Sequence, residues 1–276
     1  MEQGRPKFQA PPVIETALSV QFNPLPGYTS AHGGWFWREY LEKLGDGLSA
    51  QWPKAAEAPR IPDQFEKFGK EDVWTAPAIR LQQGAPTRMQ FIRSDGERMV
   101  QIQDSRFVLN WKKTSALYPS YDSLLPEFRD LLNAFKAFAS EAGFGKLAYN
   151  QWELAYVDEL KKGELWGSIR DLGKIFPGLS MPNVGVSQVP PSGDETMSAD
   201  WRFSLPNQRG RLLITVRLVR IQPSFEEAVH LTMTTRGRVT ETETWEQGMN
   251  LGHGVLEETF LAITSAEAQE HWRGKR

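Results

Sequence analysis

Ile14, Leu18, Val20 and Phe22 fall on one side of a period-two run, with Glu15, Ser19 and Gln21 on the other. This pattern predicts a half-buried strand that ends at Asn23-Pro24. Past Gly33-Gly34 the period changes. Trp37, Tyr40, Leu41, Leu44 and Leu48 recur at helical spacing, and Arg38, Glu39, Glu42 and Lys43 stay polar, which predicts a helix over Trp35–Leu48. Residues 52–77 lose periodicity and carry Pro53, Pro59, Pro62 and Pro77, so they read as a long excursion with a helical turn around Asp63–Phe68. Strands are predicted near Ile79–Gln82 and at Met89–Arg93, Met99–Gln103 and Phe107–Trp111, with tight turns at Asp95-Gly96 and Asp104-Ser105. Leu124, Leu125, Phe128, Leu131, Leu132, Phe135 and Phe138 then form an apolar helical stripe, stopped at Gly143.

The same order of patterns follows again. Trp152, Leu154 and Tyr156 alternate with Gln151, Glu153 and Ala155, and Ser168 and Asp171 suit the cap and first turn of a helix. Residues 176–198 form a second proline-marked excursion, before strands at Trp201–Leu205, Leu212–Arg220 and Ala228–Thr235. Met249, Val255, Leu256, Thr259, Phe260 and Ile263 outline a last long helix whose start is weakened by Gly248, Gly252 and Gly254, at about 1 kcal/mol each. Thr264 with Glu267 predicts a capping box for a short helix ending near Trp272.

These patterns predict an α+β protein of two tandem β-α-β4-α half-repeats, residues 1–145 and 146–276, with mainly antiparallel sheets covered by helices on one face. That arrangement resembles the TATA-binding-protein-like fold. A helix-grip fold, one curved sheet around a long helix with an internal cavity, is the structural alternative and would favour a small ligand.

The chain of 276 residues has 40% apolar positions, enough for a real core, and its 32 basic and 34 acidic residues give a net charge of −2. No global field draws it to nucleic acid or membrane. The first residues have no apolar leader region, so a cytoplasmic address is expected. The absence of cysteine excludes disulfides, thiolate metal sites and cysteine nucleophiles.

Candidate chemistry is sparse. Gly143-Phe144-Gly145-Lys146 has the letters of a dinucleotide turn, but it follows a helix where that chemistry needs a strand, so it reads as a helix stop. His253 and Glu257 are one helical turn apart and read as a surface pair rather than metal ligands. No catalytic, cofactor-binding or metal residues are identified, and no cofactor is expected. Five arginines and no acid lie between Arg202 and Arg220; alternation puts Arg211, Thr215 and Arg217 on one face, and Gln101 and Gln103 extend such a face in the first half. This predicts an exposed polar and basic sheet surface. The consecutive Trp35, Phe36 and Trp37 cannot share one narrow helical stripe, so Trp35 joins the candidate contact residues.

Pro11-Pro12-Val13-Ile14-Glu15, the stretch Arg106-Phe107-Val108-Leu109-Asn110-Trp111-Lys112, Asn150-Gln151-Trp152-Glu153-Leu154-Ala155-Tyr156, and the ending from His253 to Trp272 resemble a sporadically distributed bacterial family of uncharacterised proteins of about this length. The resemblance spans nearly the whole chain and implies no activity; its patchy distribution implies an accessory, defence or toxin–antitoxin setting. The expected function is therefore non-enzymatic binding of a partner protein through the sheet face or the excursions. Nucleic-acid binding through the basic face, and a ligand or enzyme pocket between the half-repeats, are the alternatives.

Overall fold

A computed structural model describes residues 8–41, 43, 52–67, 87–114, 118–179 and 196–274. In order, β1 (Val13–Phe22) leads to α1 (Ser30–Phe36), which continues as a wider π-helical turn, Trp37–Leu41. Then come β2 (Lys54–Pro59), β3 (Thr87–Ile92), β4 (Arg98–Gln103), β5 (Arg106–Lys112) and the long α2 (Tyr121–Glu141). After β6 (Tyr149–Lys161) a 3-10 turn enters the short α3 (Leu172–Ile175), followed by β7 (Ser198–Ser204), β8 (Arg211–Ile221), β9 (Glu226–Arg238), α4 (Trp245–Ile263) and α5 (Ala266–Arg273). The protein is α+β. Among the described residues all nine strands join one sheet, in the order β2-β3-β4-β5-β1-β6-β9-β8-β7, and every neighbouring pair is antiparallel.

The two expected sheets are thus one, because β1 and β6 pair along their length, with Leu18 opposite Leu154 and Val20 opposite Trp152. The apolar stripe of α2 is buried as its spacing predicts: Phe135 packs on Phe22 and Phe107, and Phe128 on Phe107. α4 lies beside it over β6 and β9. The two long helices touch through Phe128 against Trp245, Tyr121 bonded to Asn250 and Arg129 paired with Glu246, so the sheet carries two helices side by side instead of closing around one.

Several expectations change. Lys54–Pro59, read as excursion, is a strand on the sheet edge, while the strand expected near residues 79–82 lies outside the described residues. No helical turn forms over Asp63–Lys67, where the chain is irregular and extended; Phe68 is outside the described residues. The first helix begins at Ser30, so Gly33 lies within it, its Cα facing the Met89 side chain where a Cβ would stand 2.5 Å from Cγ. Its expected end at Leu48 falls outside the described residues. Among the described residues three strands, not four, follow the second short helix, and residues 180–195 of the second excursion are not described.

The glycines of α4 have a specific purpose. Gly248 and Gly252 are one turn apart on the face that meets Trp152, a fully buried indole, and a Cβ at Gly248 would stand 2.1 Å from its Nε1. At Gly252 a Cβ would stand 2.8 Å from Cζ3, and Gly237 of β9 completes the niche at 2.7 Å from Cζ2. The helix starts firmly despite them, because Thr244 and Gln247 form a reciprocal capping box. The α5 cap is Ser265 rather than Thr264, whose hydroxyl donates back to the Phe260 carbonyl. Ser168 and Asp171 cap the 3-10 turn before α3 as the sequence suggests.

Candidate functional site

Helices α1, α2 and α4 cover one side of the sheet. On the other side the antiparallel registers align polar residues in rows across the strands. Gln103, Arg106, Gln21, Gln151 and Arg238 form one row over β4, β5, β1, β6 and β9. The next contains Gln101, Val108, Ser19, Glu153, Arg236 and Arg211.

Residues 60–67, the chain leaving β2, run along these rows, crossing the strands. The contacts are mostly to the main chain. The Gln103 carboxamide accepts from the Ile61 N–H at 3.0 Å and donates to the Ile61 carbonyl at 2.9 Å. The Gln21 carboxamide does the same for Gln64, at 3.0 and 3.2 Å. Gln103 and Gln21 are two strands apart, roughly 10 Å, and three extended residues cover about the same distance, so the strap's spacing matches the sheet's. Arg238 donates to the Glu66 carbonyl at 2.7 Å and Arg211 to the Lys67 carbonyl. The Glu66 carboxylate sits between Arg211, at 2.7 Å, and Arg236, at 3.5 Å. At the other end Arg60 holds Asp63 and Asp104, and Ser105 donates to Asp63.

Beneath this strap Arg106 and Arg211 are buried, while Arg236 is half-buried and Arg238 stays exposed. Burial pushes the Arg106 guanidinium below its ordinary value while Glu153, 3.7 Å away, acts the other way. Glu153 also takes Arg236 at 3.0 Å. Gln151 is 1% exposed, lies in the row between Gln21 and Arg238, and neither of its amide atoms has a hydrogen-bond partner. An unmade pair of bonds on a buried carboxamide is costly, about 1–3 kcal/mol. Gln151→Leu is therefore expected to raise the stability of the isolated protein by about 1 kcal/mol in a urea melt; a clear loss would mean the amide has a structural role.

The sequence-predicted residues divide accordingly. Gln101, Gln103 and Arg211 belong to the predicted face but are buried, which corrects their expected exposure. Gln101 is held by Gln90 and Asn110, and the other two are covered by residues 60–67. Thr215 and Arg217 lie beyond the strap, beside a shallow depression of about 330 Å³ that they line with Val219, His230 and Thr232. Asp200 of β7 accepts from Thr215 at 2.7 Å and lies 3.6 Å from Arg217; the Thr215 hydrogen bond first, then the Arg217 charge, hold its carboxyl below the usual range. The arginine-rich stretch lacks acids only in sequence. In space Arg209 meets Glu243, Arg211 meets Glu66 and Arg217 meets Asp200.

Of the three consecutive aromatics, Phe36 is buried in the core and Trp37 stacks on Phe91 beneath Arg38. Trp35 packs edge-on against Phe138 and stays 36% exposed, on the helical side and away from the strap. On that side His253 stacks on Tyr121 at 4.0 Å, bonds Tyr156 at 2.8 Å and pairs with Glu257 at 3.4 Å, tying α4 to α2 and β6. Among the described residues no three His, Asp or Glu side chains are placed to hold a metal ion, and no helix is long and apolar enough to cross a membrane.

Sequence reasoning missed the strap. Its signal was weak: a charged, proline-marked stretch with no period, opposite strands whose polar alternate positions are glutamine and arginine instead of lysine and glutamate.

No protein-family model matches the chain, and no curated protein does. Among solved structures it is similar to the crystal structure of DynU16, a protein in the dynemicin biosynthetic locus, at 11% identity over 90% of this chain and 94% of that one, with a TM-score of 0.23. A likeness that loose carries no inference.

Proposed function

We propose that this protein acts by binding another polypeptide on the side of its sheet that is helix-free among the described residues, without chemistry of its own. The observation that carries the reading is the pair of carboxamide brackets. Gln103 and Gln21 each satisfy both main-chain groups of one residue in an extended segment, which recognises a backbone and not a base or a sugar. The antiparallel order around β1 and β6, each followed by a short helix, a set of strands and a long covering helix, supports reading the halves as two lobes of a TATA-binding-protein-like design. In that design the exposed side of the sheet is the natural place for a large ligand. Nucleic acid is the weaker occupant, since Glu243, Glu66 and Asp200 compensate Arg209, Arg211 and Arg217 and leave little net charge to displace counterions.

The test uses the tagged protein in its own host cells with a photo-crosslinking residue at Thr234, half-exposed on the helix-free side, and in a control at Lys136 on α2. A polypeptide crosslinked from position 234 and not from 136 is the expected result. Recovery of the protein alone at both low and physiological salt sinks the reading, and retained nucleic acid replaces it.

A further inference from the structure

We infer that residues 60–67 are a built-in stand-in for the partner, and that the partner presents an extended acidic segment whose carboxylate replaces Glu66 between Arg211 and Arg236. The inference rests on the reading of this side of the sheet as a polypeptide-binding surface and names the chemistry of its ligand.

Three observations converge. First, the surface is charge-selective: the two rows bring together Arg106, Arg211, Arg236 and Arg238 and contribute one carboxylate of their own, Glu153. The strap adds a second carboxylate, Glu66, between Arg211 and Arg236. Second, the strap is held through features a foreign segment could reproduce. Its bonds to Gln103, Gln21, Arg238 and Arg211 engage the main chain of Ile61, Gln64, Glu66 and Lys67. Among its side chains Phe65 is 62% exposed, turned to solvent rather than to the sheet.

Third, the fit is incomplete. Gln151 is a third carboxamide in the row of Gln103 and Gln21, buried beneath the strap with both amide atoms unpartnered. Between residues 64 and 66 the strap presents no backbone group to it. A segment in a more regular extended conformation would meet Gln151 as Ile61 meets Gln103 and Gln64 meets Gln21. That margin matters, because a tethered occupant competes at an effective concentration of about millimolar and is displaced only by a segment that binds better than it does.

The experiment compares wild type with Glu66→Gln, which weakens the strap while leaving every receptor residue in place. The probe is a fluorescein-labelled octapeptide with the sequence of residues 60–67, alongside the same peptide with glutamine in place of its glutamate. Binding is read by fluorescence anisotropy, and folding by circular dichroism and a melt. At least tenfold tighter binding of the glutamate peptide by Glu66→Gln than by wild type is expected, with at least tenfold weaker binding of the glutamine peptide. Should Glu66→Gln not fold, Asp63→Asn, which loosens the Arg60 end of the strap, carries the same comparison. Equal binding of the two peptides, or no binding to a folded variant at millimolar peptide, overturns the inference. A partner crosslinked at position 234 that neither peptide displaces also overturns it, while leaving the polypeptide-binding reading intact.

Discussion

Gly248→Ala is expected to destabilise the protein by about 3 kcal/mol, although glycine to alanine inside a helix ordinarily stabilises by about 1 kcal/mol. The reversal comes from Trp152. The added methyl would lie 2.1 Å from the indole Nε1 and 2.3 Å from Cδ1. The indole cannot retreat, because Gly252 and Gly237 bring backbone against its other edge and it is fully buried. Either α4 lifts from the sheet or the ring leaves its rotamer, and overpacking of this kind costs roughly 1–3 kcal/mol and sometimes more. A double-mutant cycle isolates the cause. In a Trp152→Leu background the same Gly248→Ala change should become stabilising, because the methyl then fills space and helix propensity decides the sign. Urea melts of the four proteins suffice, and a Gly248→Ala effect of the same sign and size in both backgrounds would refute the account.

The second large effect depends on pH. Asp158 of β6 points toward the helices, is buried, and has a carboxylate oxygen with no hydrogen-bond partner. Burial pushes its pKa from 3.8 up to about 7. The native state therefore holds a proton that the unfolded chain releases between those values, and stability falls as pH rises from about 4 to about 7. Below the unfolded value both states are protonated and the penalty is absent; above the folded value it is complete. At about 1.4 kcal/mol per pKa unit the full penalty is on the order of 4 kcal/mol. Asp158→Asn removes it, so the variant should match wild type at pH 4 and exceed it by that amount at pH 8. Denaturant melts at the two pH values read the difference directly, and parallel stability profiles for the two proteins would show that Asp158 is not a buried acid.

Legibility in the sequence followed the range of the interactions. The long helix α2 and the hairpins at Asp95-Gly96 and Asp104-Ser105 were readable because periodicity and turn chemistry are local. Strand alternation likewise placed Arg211, Thr215 and Arg217 on one face, and that face is the helix-free one. Alternation says which way a side chain points and nothing about what arrives from elsewhere. Arg211 is buried by residues 66 and 67, more than 140 positions away, and Gln103 by Ile61. The strap itself has no period because its bonds run to side chains of the sheet instead of to a neighbouring strand. The glycines of α4 were misread for a similar reason: counted singly they cost helix stability, while their spacing of one turn marks a slot for a large ring. Trp152, a long way back in the chain, is what fills it.

The pairing of β1 with β6 sets how the molecule can be divided. These strands close the sheet at its centre, and each would expose a complete line of unpaired amides and carbonyls if its neighbour were removed. A cut in the connection after α2, within residues 142–148, separates the chain into pieces whose raw edges are complementary. The protein is thereby suited to reconstitution from two polypeptides, with the strap on one piece and the arginines that hold Glu66 on the other.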